Sequence, residues 1–193
     1  MDFGRLVCRS RSHRGFDERH VIERETLRTL VGYARLSPSS ANLQVLKYYL
    51  SNEEETNRLI RPHLRWAGRL KGLQLPREGE QPTAYIVILM DHEIAPRGGR
   101  FLIDVGIAAQ TILLGAAEMG LGGCMIGAFD PDAVHGALGL HERLEPVLVL
   151  ALGKGLDQIV IEEAQSGEIA YWRDGEDVHH VPKRPLGELI VND

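Results

Sequence analysis

The chain has 193 residues, 44% hydrophobic and 25% charged, with a formal net charge of -5 at pH 7. That suits a single domain over residues 1–193 with a sizeable core, and excludes disorder and collagen-like repetition. The acidic balance weighs against a nucleic-acid partner, whose proteins usually carry a basic domain. The two cysteines, Cys8 and Cys124, make no CxxC, zinc spacing or disulfide framework. A reducing, cytoplasmic setting is the simplest expectation. No apolar stretch reaches the roughly 18–20 residues that span a bilayer, so no membrane partner is expected. The longest, Ile103 to Met119, is interrupted by Asp104, Gln110 and Glu118. The first twenty residues are polar and cationic, unlike a signal peptide. One excess stands out: 21 glycines, where a usual share of roughly 7% would give about 14.

In chain order, residues 5 to 19 form an arginine-rich arm with Arg5, Arg9, Arg11, Arg14 and Arg19. Glu23 to Leu36 predicts a helix, with Leu27, Leu30, Val31 and Ala34 on one face. Pro38 stops it, because the residue before a proline avoids helical geometry. Val45 to Leu50 predicts a strand. Asn52 with Glu55 resembles a capping box opening a helix to about Leu64, bent or split at Pro62. Trp66 to Leu73 predicts another helical piece. Residues 76 to 82 predict a loop, and the apolar run Ala84 to Met90 a buried strand.

Gly99 to Met119 predicts a long helix, apolar over much of its circumference and therefore buried in the domain or against a second chain. Gly120 suits its C′ position. Cys124 to Gly127 is short and apolar. Asp130 and Pro131 suit the N-cap and N1 of a helix to about Leu138. Pro146 to Leu152 predicts a second buried strand. Ile169–Arg173 and Val178–Val181 predict a hairpin around Asp174-Gly175. The mixture lacks regular βαβ alternation and indicates α+β.

The chemistry is sparse. In an extended arm, Ser10, Ser12 and Arg14 share a face. The arm reads either as a solvated terminus or as an anion site, since guanidiniums bind phosphate bidentately. Ser37 to Gln44 (SPSSANLQ) is either a capping loop or a ligand loop whose amides read the edge of a planar heterocycle. Gly120 to Gly127 lacks the strand-before, helix-after context of a dinucleotide fingerprint. It is either a helix terminator or backbone lying flat against a cofactor ring. Lys183 and Arg184 sit between two prolines, either as an exposed loop or as part of a phosphate clamp. No GxSxG, HExxH or P-loop is present. His179-His180 has no neighbouring ligand motif, so no metal is expected. A chain without its own catalytic constellation fits one that relies on a cofactor.

Together these pieces resemble the FMN-dependent nitroreductases. The resemblance rests on RSHRGF (Arg11 to Phe16), SPSSANLQ (Ser37 to Gln44), the segment Asp104 to Asp130, LALGKG (Leu150 to Gly155) and VPKRPLGELI (Val181 to Ile190), in that order. It implies a central, mainly antiparallel sheet flanked by helices. It also implies a homodimer with a long buried interface helix and FMN at the interface. Arg11, Ser12 and Arg14 would bind FMN, with Arg14 on the N1/O2 side of the ring. Pro38, Ser39, Ser40 and Asn42 would come from the other subunit. Ile126 and Gly127 would lie by the ring, and Lys183 and Arg184 at the phosphate. Ser10 stands where many members have an arginine, which leaves open whether Arg9 or Arg11 meets the phosphate. Gln44-Val45-Leu46 and Met125 also depart from the frequent pattern, which touches the substrate pocket.

The resemblance implies an oxidoreductase in which NAD(P)H reduces the flavin, which then reduces a nitroaromatic, quinone or similar small-molecule acceptor by a ping-pong cycle. The flavin carries the chemistry, and no side chain is singled out as catalytic. The alternatives are an FMN-binding protein without NAD(P)H turnover, a superfamily member acting on reduced flavin and oxygen, or a nucleic-acid or acidic-partner binding module using the arginine arm.

Overall fold

The protein is described from a computed structural model, which covers residues 2–70, 72–95 and 101–192. Its framework is a four-stranded antiparallel sheet in the order β1-β2-β4-β3. The strands are β1 (Leu46–Ser51), β2 (Ala84–Asp91), β3 (Gly122–Ile126) and β4 (Leu144–Gly153). Every residue of β2 is buried, as its unbroken apolar run predicts. Period-two alternation divides that strand between two cores. Ala84, Ile86, Ile88 and Met90 face one core, shared with Leu27 and Leu30 of α2 (Arg24–Arg35) and Val105, Ala109 and Ile112 of α4 (Leu102–Glu118). Tyr85, Val87 and Leu89 face the other. That core is closed by Ile60 of α3 (Glu54–Ile60) and Val134 of α5 (Pro131–Ala137).

The sheet and flanking helices match the expected α+β architecture. Several boundaries moved. The N-terminal arm begins as a helix, α1 (Phe3–Arg9), with Asp2 accepting from the Arg5 N–H at its start. Its extended part is confined to the residues after Ser10. The capping box at Asn52 does not form: Glu53 occupies the N-cap position, and the Asn52 amide donates to the Ile22 carbonyl at 3.2 Å. The helix stops at Ile60, and Pro62 lies in a separate 3-10 turn, Arg61–His63. No helix forms among the described residues of 66–73, where Ala67 (φ 45°) and Gly72 (φ +84°) break any helical repeat. The start of the long helix expected from Gly99 lies outside the described residues. From Leu102 the helix runs unbroken, and Gly120 at φ +78° ends it as predicted. Asp130 caps α5 by accepting from the Ala133 N–H at 3.0 Å, with Pro131 first in the helix.

One element was not foreseen. A small second sheet, order β5-β7-β6, gathers β5 (Ile159–Glu163), β6 (Trp172–Arg173) and β7 (His179–Lys183). The expected hairpin is its β6/β7 antiparallel half, with Trp172 opposite His180 and Arg173 opposite His179. The parallel β5/β7 pairing had no local signal. A four-residue helix, α6 (Leu186–Leu189), follows.

Because Ile88 is fully buried in the strand at the centre of both cores, Ile88→Ala should destabilise the fold by about 2–5 kcal/mol. Urea unfolding followed by circular dichroism would show this as a lower midpoint at unchanged slope.

Candidate functional site

The site is built where the N-terminal segment crosses the ends of β3 and β4. Ser12 pairs with Gly123 and Phe16 with Gly155 through single β-bridges. The His13 N–H donates to the Gly123 carbonyl at 3.0 Å, and the Leu156 N–H to the Gly15 carbonyl at 3.0 Å. His13 then lies so close to the sheet that no side chain fits beneath it. A Cβ on Gly122 would sit 2.7 Å from the His13 ring, and one on Gly155 would overlap the same ring. Part of the glycine excess is thereby explained: these two positions make room for the arm.

Asp157 locks this crossing. Its buried carboxylate accepts from the backbone N–H of Arg14 at 2.5 Å and of Gly15 at 3.1 Å, and from the guanidinium of Arg173. Burial pushes this carboxyl up. His13 facing it at 3.6 Å, the Arg14 N–H and the Arg173 cation outweigh burial and hold it well below the usual carboxylate range.

Arg14, only 8% exposed, is the centre of the site. One guanidinium nitrogen, Nη1, donates to the Ser12 carbonyl at 3.2 Å and to Nε2 of His179 at 3.1 Å. An arginine only donates, so His179 Nε2 accepts and its proton sits on Nδ1. The guanidinium carbon lies 4.9 Å from the centroid of the Tyr171 ring. Tyr171 in turn meets His179 edge-on at 5.3 Å. The Nε of Arg14 is buried with no hydrogen-bond partner among the described residues. It shares that state with the Nε atoms of Arg61 and Arg173.

Arg14 faces a cavity of about 310 Å³ lined also by Ser10, Arg11, Ser12, Gln110, Met125 and Lys183, with Ile159, Val181 and Leu113 as apolar walls. Three cations, two hydroxyls and apolar walls suit a planar, anionic ligand. Of the expected FMN residues, Arg11, Ser12, Arg14 and Lys183 therefore meet in one cavity. Arg11 lines both this cavity and a neighbouring cleft beside Lys154, and Arg9 lines the neighbouring cleft.

The other expected residues lie elsewhere. Pro38 and Ser39 line a separate cavity of about 290 Å³ against α2, β1 and α4. Ser40 donates its hydroxyl at 2.7 Å and its N–H at 3.0 Å to the buried Asp104 carboxylate of α4, so that loop is tied to the long helix. Asn42 is exposed, with a left-handed φ of 56°. Ile126 is buried in the second core. Gly127 is exposed, and a Cβ there would meet nothing within 4 Å. Arg184 is exposed and pairs with Glu188 at 3.0 Å.

Sequence reasoning missed Tyr171, His179, Arg173 and Asp157. Alternation from Tyr171 into β6, and along β7, was the available signal, since it groups Tyr171 with Arg173 and His179 with Val181. Only the side-chain contact of Arg14 with His179 and Tyr171 gives that grouping a meaning. No cluster of metal-ligating side chains occurs among the described residues.

The sequence model of the Nitroreductase family matches residues 9–154, and the chain belongs to that family. Among solved structures, a nitroreductase family protein from Clostridium difficile 630 is similar at 23% identity and a TM-score of 0.68, over 100% of this chain and 99% of that one. A nitroreductase from Exiguobacterium sibiricum 255-15, solved in complex with FMN, shows 21% identity and a TM-score of 0.66 over 81% of this chain and 90% of its own. An NADH dehydrogenase/NAD(P)H nitroreductase from Parabacteroides distasonis ATCC 8503 shows 19% identity and a TM-score of 0.66 over 91% and 95%. These likenesses establish a shared fold.

The adjacent histidines of β7 have opposite electrostatics. Burial, then the Arg14 and Arg173 cations, lower His179 to about 4. Glu162, then Asp174, raise His180 above its usual value. A histidine held neutral makes stability fall as pH drops from about 6.5 towards 4, where the unfolded chain binds the extra proton. A histidine whose charged form is favoured contributes fully below about 6.5 and loses its contribution as pH rises through its raised value. Thermal melts against pH should thus show His179→Gln flattening the acid limb and His180→Asn the limb above about 6.5. Separately, Gly155→Ala should destabilise by about 1–3 kcal/mol through overpacking on His13, measurable by urea unfolding.

Proposed function

We propose that this chain is an FMN-dependent oxidoreductase that takes reducing equivalents from NAD(P)H and passes them to a small oxidised acceptor such as a nitroaromatic or quinone. The observation that carries this reading is Arg14: buried, fixed by His179, Tyr171 and the Ser12 carbonyl, and lining a cavity to which Arg11 and Lys183 also contribute. Membership of the nitroreductase family and the FMN complex of the Exiguobacterium relative support the choice of flavin. The name of the Parabacteroides relative supports NAD(P)H as the reductant.

The residues present suit FMN. Arg11 and Lys183, with the Ser10 and Ser12 hydroxyls, would hold the phosphate end. Arg14 would meet the pyrimidine edge of the ring, whose carbonyl and nitrogen acceptors suit a guanidinium donor. When bound, FMN supplies the hydride and electron chemistry that no side-chain constellation here provides. The work of the chain is electrostatic and steric. Arg14 stands already oriented where negative charge would develop, and such preorganised charge stabilises it without reorganisation at the moment of reaction. Leu113, Ile159 and Val181 would exclude water along the apolar wall.

A second copy of this chain completes the site in this reading. Pro38, Ser39, Ser40 and Asn42 lie on a different cavity from Arg14 within one chain, and would reach the flavin from the partner. The N-terminal half of α4 leaves Leu102 54% and Ile103 70% exposed, an apolar face suited to burial against that partner. The setting proposed is cytoplasmic, in keeping with free Cys8 and Cys124; no described helix is long and apolar enough to cross a membrane.

The purified protein should be yellow, or become so with added FMN, and should bleach anaerobically on titration with NADH or NADPH. Colour without bleaching would instead favour a flavin-binding protein without turnover. Arg14→Ala should weaken FMN retention by about tenfold or more, the effect of losing a hydrogen bond to a charged group. Wild-type retention and reduction would remove Arg14 from the site. Light scattering should give a dimer, and a flavin-loaded monomer would contradict the shared site.

A further inference from the structure

The small C-terminal sheet lies beyond the segment matched to the family, which ends at residue 154. It is nevertheless the element that grips Arg14. From it, His179 accepts from Arg14 Nη1 at 3.1 Å, and Tyr171 just before β6 lies under the guanidinium. Arg173 of β6 binds Asp157, which also holds the Arg14 N–H. Backbone and side chain of Arg14 are thus tied to one small sheet. His179 itself is only 2% exposed.

We propose that this sheet is a clamp for Arg14, in which His179 is a positioning residue: by accepting from Nη1 it turns the remaining guanidinium donors towards the cavity and so sets affinity for the anionic edge of a planar ligand. The proposal rests on reading the cavity as a flavin site. Its physical basis is that a guanidinium is a rigid planar fork. Fixing one nitrogen against His179 and one face against Tyr171 fixes the direction of the others. Without His179, Arg14 keeps its charge but loses that direction, and its long side chain regains rotamer freedom.

The clamp acts at the ring end and not at the phosphate end. Riboflavin, which carries the ring without the phosphate, separates the two. The test measures FMN and riboflavin binding to the apoprotein by flavin fluorescence, near neutral pH where His179 is uncharged, and the reduction potential of the bound flavin. His179→Phe should weaken both ligands by the same factor, about tenfold, and lower the potential. His179→Gln keeps an acceptor oxygen and should restore both readouts to within about twofold of wild type, which a merely space-filling role would not predict. Tyr171→Leu leaves His179 in place and should cost about threefold through the lost cation–π contact. It keeps the clamp testable should His179→Phe melt before it can be titrated.

Lys183→Gln should weaken FMN but not riboflavin. Wild-type affinity and potential in His179→Phe, or in Tyr171→Leu should His179→Phe not fold, would overturn the clamp while leaving the flavin site standing. A wild-type protein that binds neither flavin would overturn the functional reading and the clamp together.

Discussion

A single buried carboxylate organises the functional half of the molecule. Asp157 accepts from two consecutive backbone N–H groups of the N-terminal segment and from Arg173 of the small sheet. Taking a carboxylate out of water is costly, and this one remains charged because it is surrounded by donors and a cation. Its position joins the arm, the end of β4 and the C-terminal sheet at one point. Removing it would leave Arg173 with Asp177 as its remaining carboxylate partner and the Arg14 and Gly15 backbone without their acceptor.

That junction also explains where the glycines fall. The arm could not reach Asp157 if side chains stood beneath His13, and Gly122 and Gly155 clear that space. The sheet below is rigid, because β2 is buried along its whole length and shared between two cores. The consequence is a fixed cation above a stiff platform. Electrostatic preorganisation requires this: the charge must be in place before it is needed.

The net acidity of the chain is compatible with a cationic site because charge acts locally. Arg11, Arg14 and Lys183 meet at one cavity, while Arg19 pairs with Asp17 and Arg184 with Glu188. Among these arginines, the two that line the cavity are those brought over the sheet by the arm. The remaining polar loop, Ser37 to Gln44, is tied through Ser40 to Asp104 on α4. It opens onto a different cavity, so within one chain the two groups of expected flavin residues stay apart. In the proposed dimer, a second copy would join them in one site.

The amino-acid sequence by itself determined the elements whose cause is local. The apolar run of β2, the glycine stop after α4 and the Asp130-Pro131 start of α5 all depend on residues within a few positions of one another. Arg11, Ser12, Arg14 and Lys183 were likewise legible as candidates, from spacing and from resemblance to a family. Tertiary structure alone decided their company. Arg14 and His179 are 165 residues apart, and no periodicity links them. The parallel pairing of β5 with β7 is also non-local, and it is what brings Ile159 and Val181 to one cavity wall. Asn52 shows the converse: a plausible local cap was surrendered because its amide finds the Ile22 carbonyl. Local preferences are worth about 1 kcal/mol each, and a long-range hydrogen bond or a packed ring competes on equal terms.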